Sequence, residues 1–266
     1  MPVQTASIRS LPAGVYHVTP DDANATWYTG IALRSNVNLI MDRNAILTVA
    51  GTGLAEYYVM SGRLIDNVSI RGGQISGERY RHSGTAGECG HGLALVGSTN
   101  ITVSETVIRD NWGDGIYLGT SYRYAESIGG NGIVIENCEI SGNRRNNISI
   151  VDADNVEIKA CRILDAHGTA PQCGICVEPN DDASGDKINH DLTIRDTEIR
   201  AYGGRDDWRQ MCFMTHMNQS IDGYVTAENI NILNCRITGW VGNYSGRNFH
   251  IDAATVINGT RDIQMW

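Results

Sequence analysis

A chain of 266 residues with 30 glycines and 7% aromatic residues suits one large, turn-rich all-β domain or two small ones. Its net charge is -9, with 19 Arg against only Lys159 and Lys187 and no basic block, which excludes a polybasic nucleic-acid-binding surface. No apolar run approaches the roughly 20 residues of a membrane helix, and the opening MPVQTASIRS lacks a charged-then-apolar signal peptide, so no membrane partner is expected and localisation is not legible.

In chain order, Leu11–Val18 and Val37–Asp42 read as irregular first coils, with residues 1–36 the least regular part. No amphipathic capping helix stands ahead of Leu11, so the N-terminal cap is expected to be missing or supplied by another domain or chain. From residue 68 an eight-residue pattern recurs six times: apolar, any, Ile or Val, two variable residues, a small residue or Cys, any, Ile. The copies are Val68-Ile70-Gly73-Ile75, Ile101-Val103-Thr106-Ile108, Ile133-Ile135-Cys138-Ile140, Val156-Ile158-Cys161-Ile163, Leu192-Ile194-Thr197-Ile199 and Ile230-Ile232-Cys235-Ile237. They are spaced by 33, 32, 23, 36 and 38 residues. Constant internal geometry with variable spacing is a stack of coils joined by unequal loops.

Alternation within each copy predicts short strands with one face inward. A second strand follows each copy, with inward pairs Leu93/Leu95, Ile116/Leu118, Ile148/Ile150, Ile175/Val177, Phe213/Thr215 and Phe249/Ile251. No long helix pattern intervenes, so successive coils pair in parallel and the crossover is right-handed by default. The expected fold is all-β: a single-stranded right-handed parallel β-helix of about seven to nine coils, one domain over 1–266. Asn67, Asn100, Gly132, Asn155, Asp191 and Asn229 precede the copies and predict corners with positive φ. Cys138, Cys161 and Cys235 share one column and predict a buried ladder of small thiols. Cys173-Gly-Ile-Cys176 matches C-x-x-C without a second ligand pair, so no metal site is expected.

The motifs His91-Gly-Leu-Ala-Leu, Asn111-Trp-Gly-Asp-Gly-Ile-Tyr-Leu-Gly, Asn143-Arg-Arg-Asn-Asn-Ile-Ser-Ile and the run Gly168 to Asn180 resemble those of the pectate-lyase-like superfamily. They are most similar to its phage tailspike and depolymerase members. The likeness runs from about residue 10 to 255. It implies a polysaccharide or oligosaccharide partner, a secreted or virion-associated protein and, as in many tailspikes, a homotrimer. The superfamily hosts hydrolases, lyases, epimerases and inert adhesins, so chemistry must come from the site. Gly90-His91-Gly92 echoes a polygalacturonase signature, but it precedes Asp114 and no Asn-Thr-Asp is present. The strand reading Leu93-Ala-Leu-Val replaces the Asp-Pro-His of mannuronan epimerases.

Coil alignment places His91, Asp114 and Asn146 in one outward column, Tyr117 and Ser149 in a second, and Glu178, His216 and Asp252 in a third. Asp110, Asp114 and Glu178 are the catalytic candidates, because glycosidic hydrolysis needs a proton donor and a base or nucleophile on two carboxyls. Trp112 and Tyr117 could stack on sugar rings; Arg144 and Arg145 could bind carboxylate or sulfate. His91, His216, Glu78 and Arg79 complete the candidate substrate contacts. Blander roles compete: Asp110 and Asp114 as Asx-turn residues, the arginines as partners of nearby acids, and His91 as a hydrogen-bonded structural residue. The 23-residue step marks a nearly bare coil, the expected floor of a groove between Asp114 and Glu178. Three functions follow: a glycoside hydrolase without cofactor; a uronan lyase or epimerase using Arg144 or Arg145 and, if a lyase, Ca2+; or a non-catalytic glycan-binding tail-fibre module.

Overall fold

The structure is a computed structural model and describes residues 7–20, 28–123, 126–179, 188–215 and 225–264. The first residues and His216 lie outside that set. Among the described residues, three nine-stranded parallel sheets run along the solenoid, one strand of each per coil, giving nine coils. The first sheet holds the Ile-x-Ile half of each copy, as in Thr99–Ser104 and Gly130–Glu136. The second sheet holds the closing Ile, as in Val107–Arg109 and Glu139–Ser141. The third includes His91–Val96, Ile116–Gly119, Ile148–Ile150, Ile175–Val177 and Met211–Thr215. Among the described residues no helix is long and apolar enough to cross a membrane.

Each coil aligns its apolar residues with those of the next: Ile101 pairs with Ile133, Ile133 with Val156, and Ile108 with Ile140. The resulting columns, such as Ile108, Ile140, Ile163, Ile199 and Ile237, are fully buried. Burying each such side chain is worth about 1.5–3 kcal/mol, so the stack of isoleucines is the main cohesive force. A coil cannot bury its residues alone, which ties stability to neighbours.

Two corners per coil take positive φ. Asn67, Asn100, Gly132, Asn155, Asp191 and Asn229 lie at 57°, 52°, 67°, 52°, 59° and 58°, the corners expected from the sequence. A second set precedes the small-residue column: Glu105, Asn137, Ala160, Asp196 and Asn234, at 49–53°. The next residue donates its hydroxyl or thiol to the carbonyl two positions back, as Thr106 does to Ser104 (2.9 Å) and Cys138 to Glu136 (3.2 Å). This explains why Thr and Cys interchange there: both are small, buried donors. Cys138, Cys161 and Cys235 are buried free thiols.

The last coil departs from expectation. Phe249 and Ile251 belong to the first sheet, where Phe249 pairs with Ile230. The third-sheet strand of the preceding coil is Trp240–Asn243, with Val241 opposite Phe213. Only Thr238 and Gly239 separate Ile237 from that strand, so this coil has no loop at its corner. Asp252 is therefore not in the column of Glu178.

Candidate active site

A ladder of buried asparagines sets the corner between the second and third sheets. Asn143 Oδ1 accepts from the Asn111 backbone N–H (3.1 Å) and Nδ2 (2.8 Å), and Asn143 Nδ2 donates to Asn147 Oδ1 (2.8 Å). Asn147 in turn donates to the Leu164 carbonyl at 3.0 Å. These amides satisfy backbone groups that the corner would leave orphaned. They also hold the following residues, Asp114 and Asn146, at the entrance to the third sheet.

Asp114 and Glu178 line one cleft of about 480 Å³, together with His91, Tyr117, Tyr58 and Arg145. The strands next to them, Ile116–Gly119 and Ile175–Val177, are separated by one strand, Ile148–Ile150, so their backbones lie two coils apart, about 10 Å along the axis. The intervening bare coil supplies the link between them. Asn146 donates its backbone N–H to Asp114 Oδ1 (3.0 Å) and its Nδ2 to Glu178 Oε1 (2.9 Å). Ser149 donates to Asp114 Oδ2 at 3.0 Å and accepts from Asn146 Nδ2 at 2.9 Å. The Cys173 backbone N–H donates to Asn146 Oδ1 (2.9 Å), which fixes which end of the amide faces the carboxyls.

Burial, with the Asp114 charge second, pushes the Glu178 carboxyl up to about 7. His91 Nδ1 accepts from the Asp114 backbone N–H at 2.9 Å and lies 3.5 Å from Asp114 Oδ2. With that nitrogen used as an acceptor, the ring is neutral and its proton sits on Nε2. Burial agrees, holding the imidazole below its ordinary value. The ring stacks flat on Tyr117, with centroids 4.8 Å apart. Arg145 pairs with Glu88 at 2.8 Å and so ties the 76–90 loop to the cleft rim.

The other sequence candidates sit elsewhere. Asp110 is turned away by its own positive φ of 55° and lines a separate depression with Arg79 and Glu78; burial raises its carboxyl. It is not a partner of Asp114 in the cleft. Trp112 is sandwiched: His82 stacks on it at 3.9 Å and the Arg144 guanidinium lies 3.7 Å from its ring centre. It offers no free face to a sugar. Arg144 is buried and donates to the carbonyls of Trp112 and Gly87 and to the Thr169 hydroxyl. Its structural role is to pin the 76–90 loop. Glu78 is buried, accepting from Tyr57 (2.5 Å) and His82 (2.6 Å), and is no part of the cleft wall. Arg79 donates to the Gly142 carbonyl at 2.6 Å. Asn146, Ser149, Tyr58, Glu88 and Cys89 also belong to the site; coil alignment puts Asn146 and Ser149 in outward columns, and polar character on a bare coil is the sequence signal that marks those two.

The family model for a right handed beta helix region matches residues 89–261, and the chain belongs to that family. The chain is 36% identical over 168 residues to uncharacterized protein YclG of Bacillus subtilis (strain 168), covering 56% of this chain and 27% of the relative. It is 31% identical over 194 residues to the SPbeta prophage-derived uncharacterized protein YorA of the same organism, covering 65% of this chain and 32% of the relative. The chain thus spans about a third or less of these relatives. Among solved structures it is similar in fold to tailspike protein gp49 from Acinetobacter baumannii bacteriophage Fri1, a capsular polysaccharide depolymerase. That match has a TM-score of 0.62 at 15% identity and covers 95% of this chain and 45% of the tailspike.

Proposed function

We propose that this chain is the β-helical part of a polysaccharide-degrading glycoside hydrolase, with Glu178 as general acid and Asp114 as general base. The observation that carries the reading is one cleft holding two differently treated carboxyls. Glu178 is half-buried in the cleft and raised to about 7, while Asp114 is buried with both oxygens engaged as hydrogen-bond acceptors. An acid protonated near neutral pH can protonate the leaving oxygen, and a carboxylate opposite it can activate water. The two carboxyls are bridged by Asn146 and Ser149, which hold them on the wall of one cleft. The pair needs no metal.

Hydrolysis is favoured over uronan cleavage by the state of the other groups. Arg144 is spent on loop contacts, Arg145 is paired with Glu88, and burial raises the Tyr58 phenol well above its ordinary range, making it a poor base. A glycan partner and virion association agree with the fold likeness to a tailspike depolymerase and with a prophage-derived relative. Incubation with a panel of bacterial capsular polysaccharides tests the reading. New reducing ends without unsaturated uronate are expected, with rates reduced about 10²-fold or more in Asp114→Asn and in Glu178→Gln. Unsaturated products, full activity in either variant, or retention without shortening would overturn it.

A further inference from the structure

On the far side of the Arg144–Arg145 turn lies a second depression, of about 400 Å³, which shares no lining residue with the cleft. Arg79, Tyr80, Thr85, Trp112, Arg144 and Thr169 line it, and no carboxylate does. That composition runs against the net charge of -9. The neighbouring arginines have acidic partners: Arg145 has Glu88 at 2.8 Å and Arg109 has Asp110 at 3.6 Å. Arg79 and Arg144 form no ion pair among the described residues. Arg79 uses Nη1 on the Gly142 carbonyl, and its Nε and Nη2 have no hydrogen-bond partner among the described residues.

A guanidinium partly withdrawn from water without an ion-pair partner is costly. Burial lowers Arg79 below its ordinary value, and the nearby charge of Asp110 offsets that only in part. Arg144 is held by the carbonyls of Trp112 and Gly87 and the Thr169 hydroxyl and closes the back of the depression. An external oxyanion on Nε and Nη2 of Arg79 would supply the missing partner. Beside these donors Tyr80 stands 71% exposed, with the Arg79 guanidinium 5.2 Å from its ring centre. An aromatic face next to an arginine fork suits a sugar ring that carries a carboxylate or sulfate.

We propose that this depression binds an anionic sugar residue of the glycan, which makes the substrate an acidic polysaccharide and places Arg79 and Tyr80 in a second contact outside the cleft. The proposal rests on the glycan reading above but not on hydrolysis. Titration of the whole chain with oligogalacturonate, a sulfated galactose oligosaccharide and cellotetraose, followed by NMR, tests it. One or both anionic oligosaccharides should bind in the millimolar range or tighter, and cellotetraose should not. Affinity should fall about tenfold or more in Arg79→Gln, the loss of a charge-assisted hydrogen bond. It should also fall in Tyr80→Ala, whose exposed side chain makes misfolding no explanation, and persist in Glu178→Gln. Equal binding of cellotetraose, no binding of either anionic probe, or loss in Glu178→Gln but not in Arg79→Gln would overturn it. Arg79-dependent binding by a protein that cleaves no glycan would uphold the anion site and sink the hydrolase reading.

Discussion

Replacing Glu178 with Gln should remove a pH-dependent penalty that the native protein carries. Burial and the Asp114 charge lift this carboxyl from 4.5 to about 7. Below 4.5 both folded and unfolded chains hold the proton, and no penalty exists. Between the two values the folded state keeps a proton that the unfolded chain has released, so stability falls as pH rises. Above 7 both states are ionised and the loss is complete. Each pH unit across this window is worth about 1.4 kcal/mol, so the whole span amounts to about 3 kcal/mol. Denaturant titrations of wild type and E178Q at intervals from about pH 4 to 8 measure it directly. The stability of wild type relative to E178Q should decline by about 3 kcal/mol across the window and then level off. Adding Asp114→Asn to wild type removes the second cause and should move the window toward 4.5. Parallel stability curves for wild type and E178Q would refute the reasoning, because a solvated glutamate carries no such linkage.

Other consequences of the same geometry can be checked independently. Ile140→Ala, in the middle of a fully buried column, should cost about 2–5 kcal/mol by chemical denaturation. Ala160→Gly should stabilise the fold by up to about 1 kcal/mol, because Ala160 sits at φ 51° where a side chain is strained. Ser149→Ala deletes a donor to Asp114 Oδ2 and should lower cleavage rates about tenfold while costing about 1 kcal/mol of stability.

The coil stack was legible because β-branched residues recur at constant offsets and each offset has one physical meaning, inward or outward. Asn67 and its column could be read as corners because Asn tolerates positive φ, whereas Glu105 and Ala160 adopt the same conformation without any such signature. Asp110 and Asp114 look equivalent in sequence; only the positive φ at Asp110 sends it to another surface. Trp112 and Arg144 read as free ligand contacts because nothing periodic marks the 76–90 loop, whose Gly87 and His82 occupy them. Trp240–Asn243 carries little third-sheet signature in sequence, because it follows Ile237 with almost no loop and only Val241 repeats the apolar signal. The short spacing of the bare coil marks it as the floor of a groove, yet the roles of Asn146 and Ser149 depend on amide and hydroxyl directions that spacing does not encode.

The central claim is that Asp114 and Glu178 act on one glycan across one cleft. The most direct test is a crystal structure of E178Q with an oligosaccharide released from a polysaccharide that the wild-type protein cleaves. The account predicts a glycosidic oxygen within about 3 Å of the residue 178 side chain and Asp114 facing the opposite side of the same sugar ring. A glycan seated on another face of the solenoid, or one that leaves either carboxyl out of reach, would contradict it.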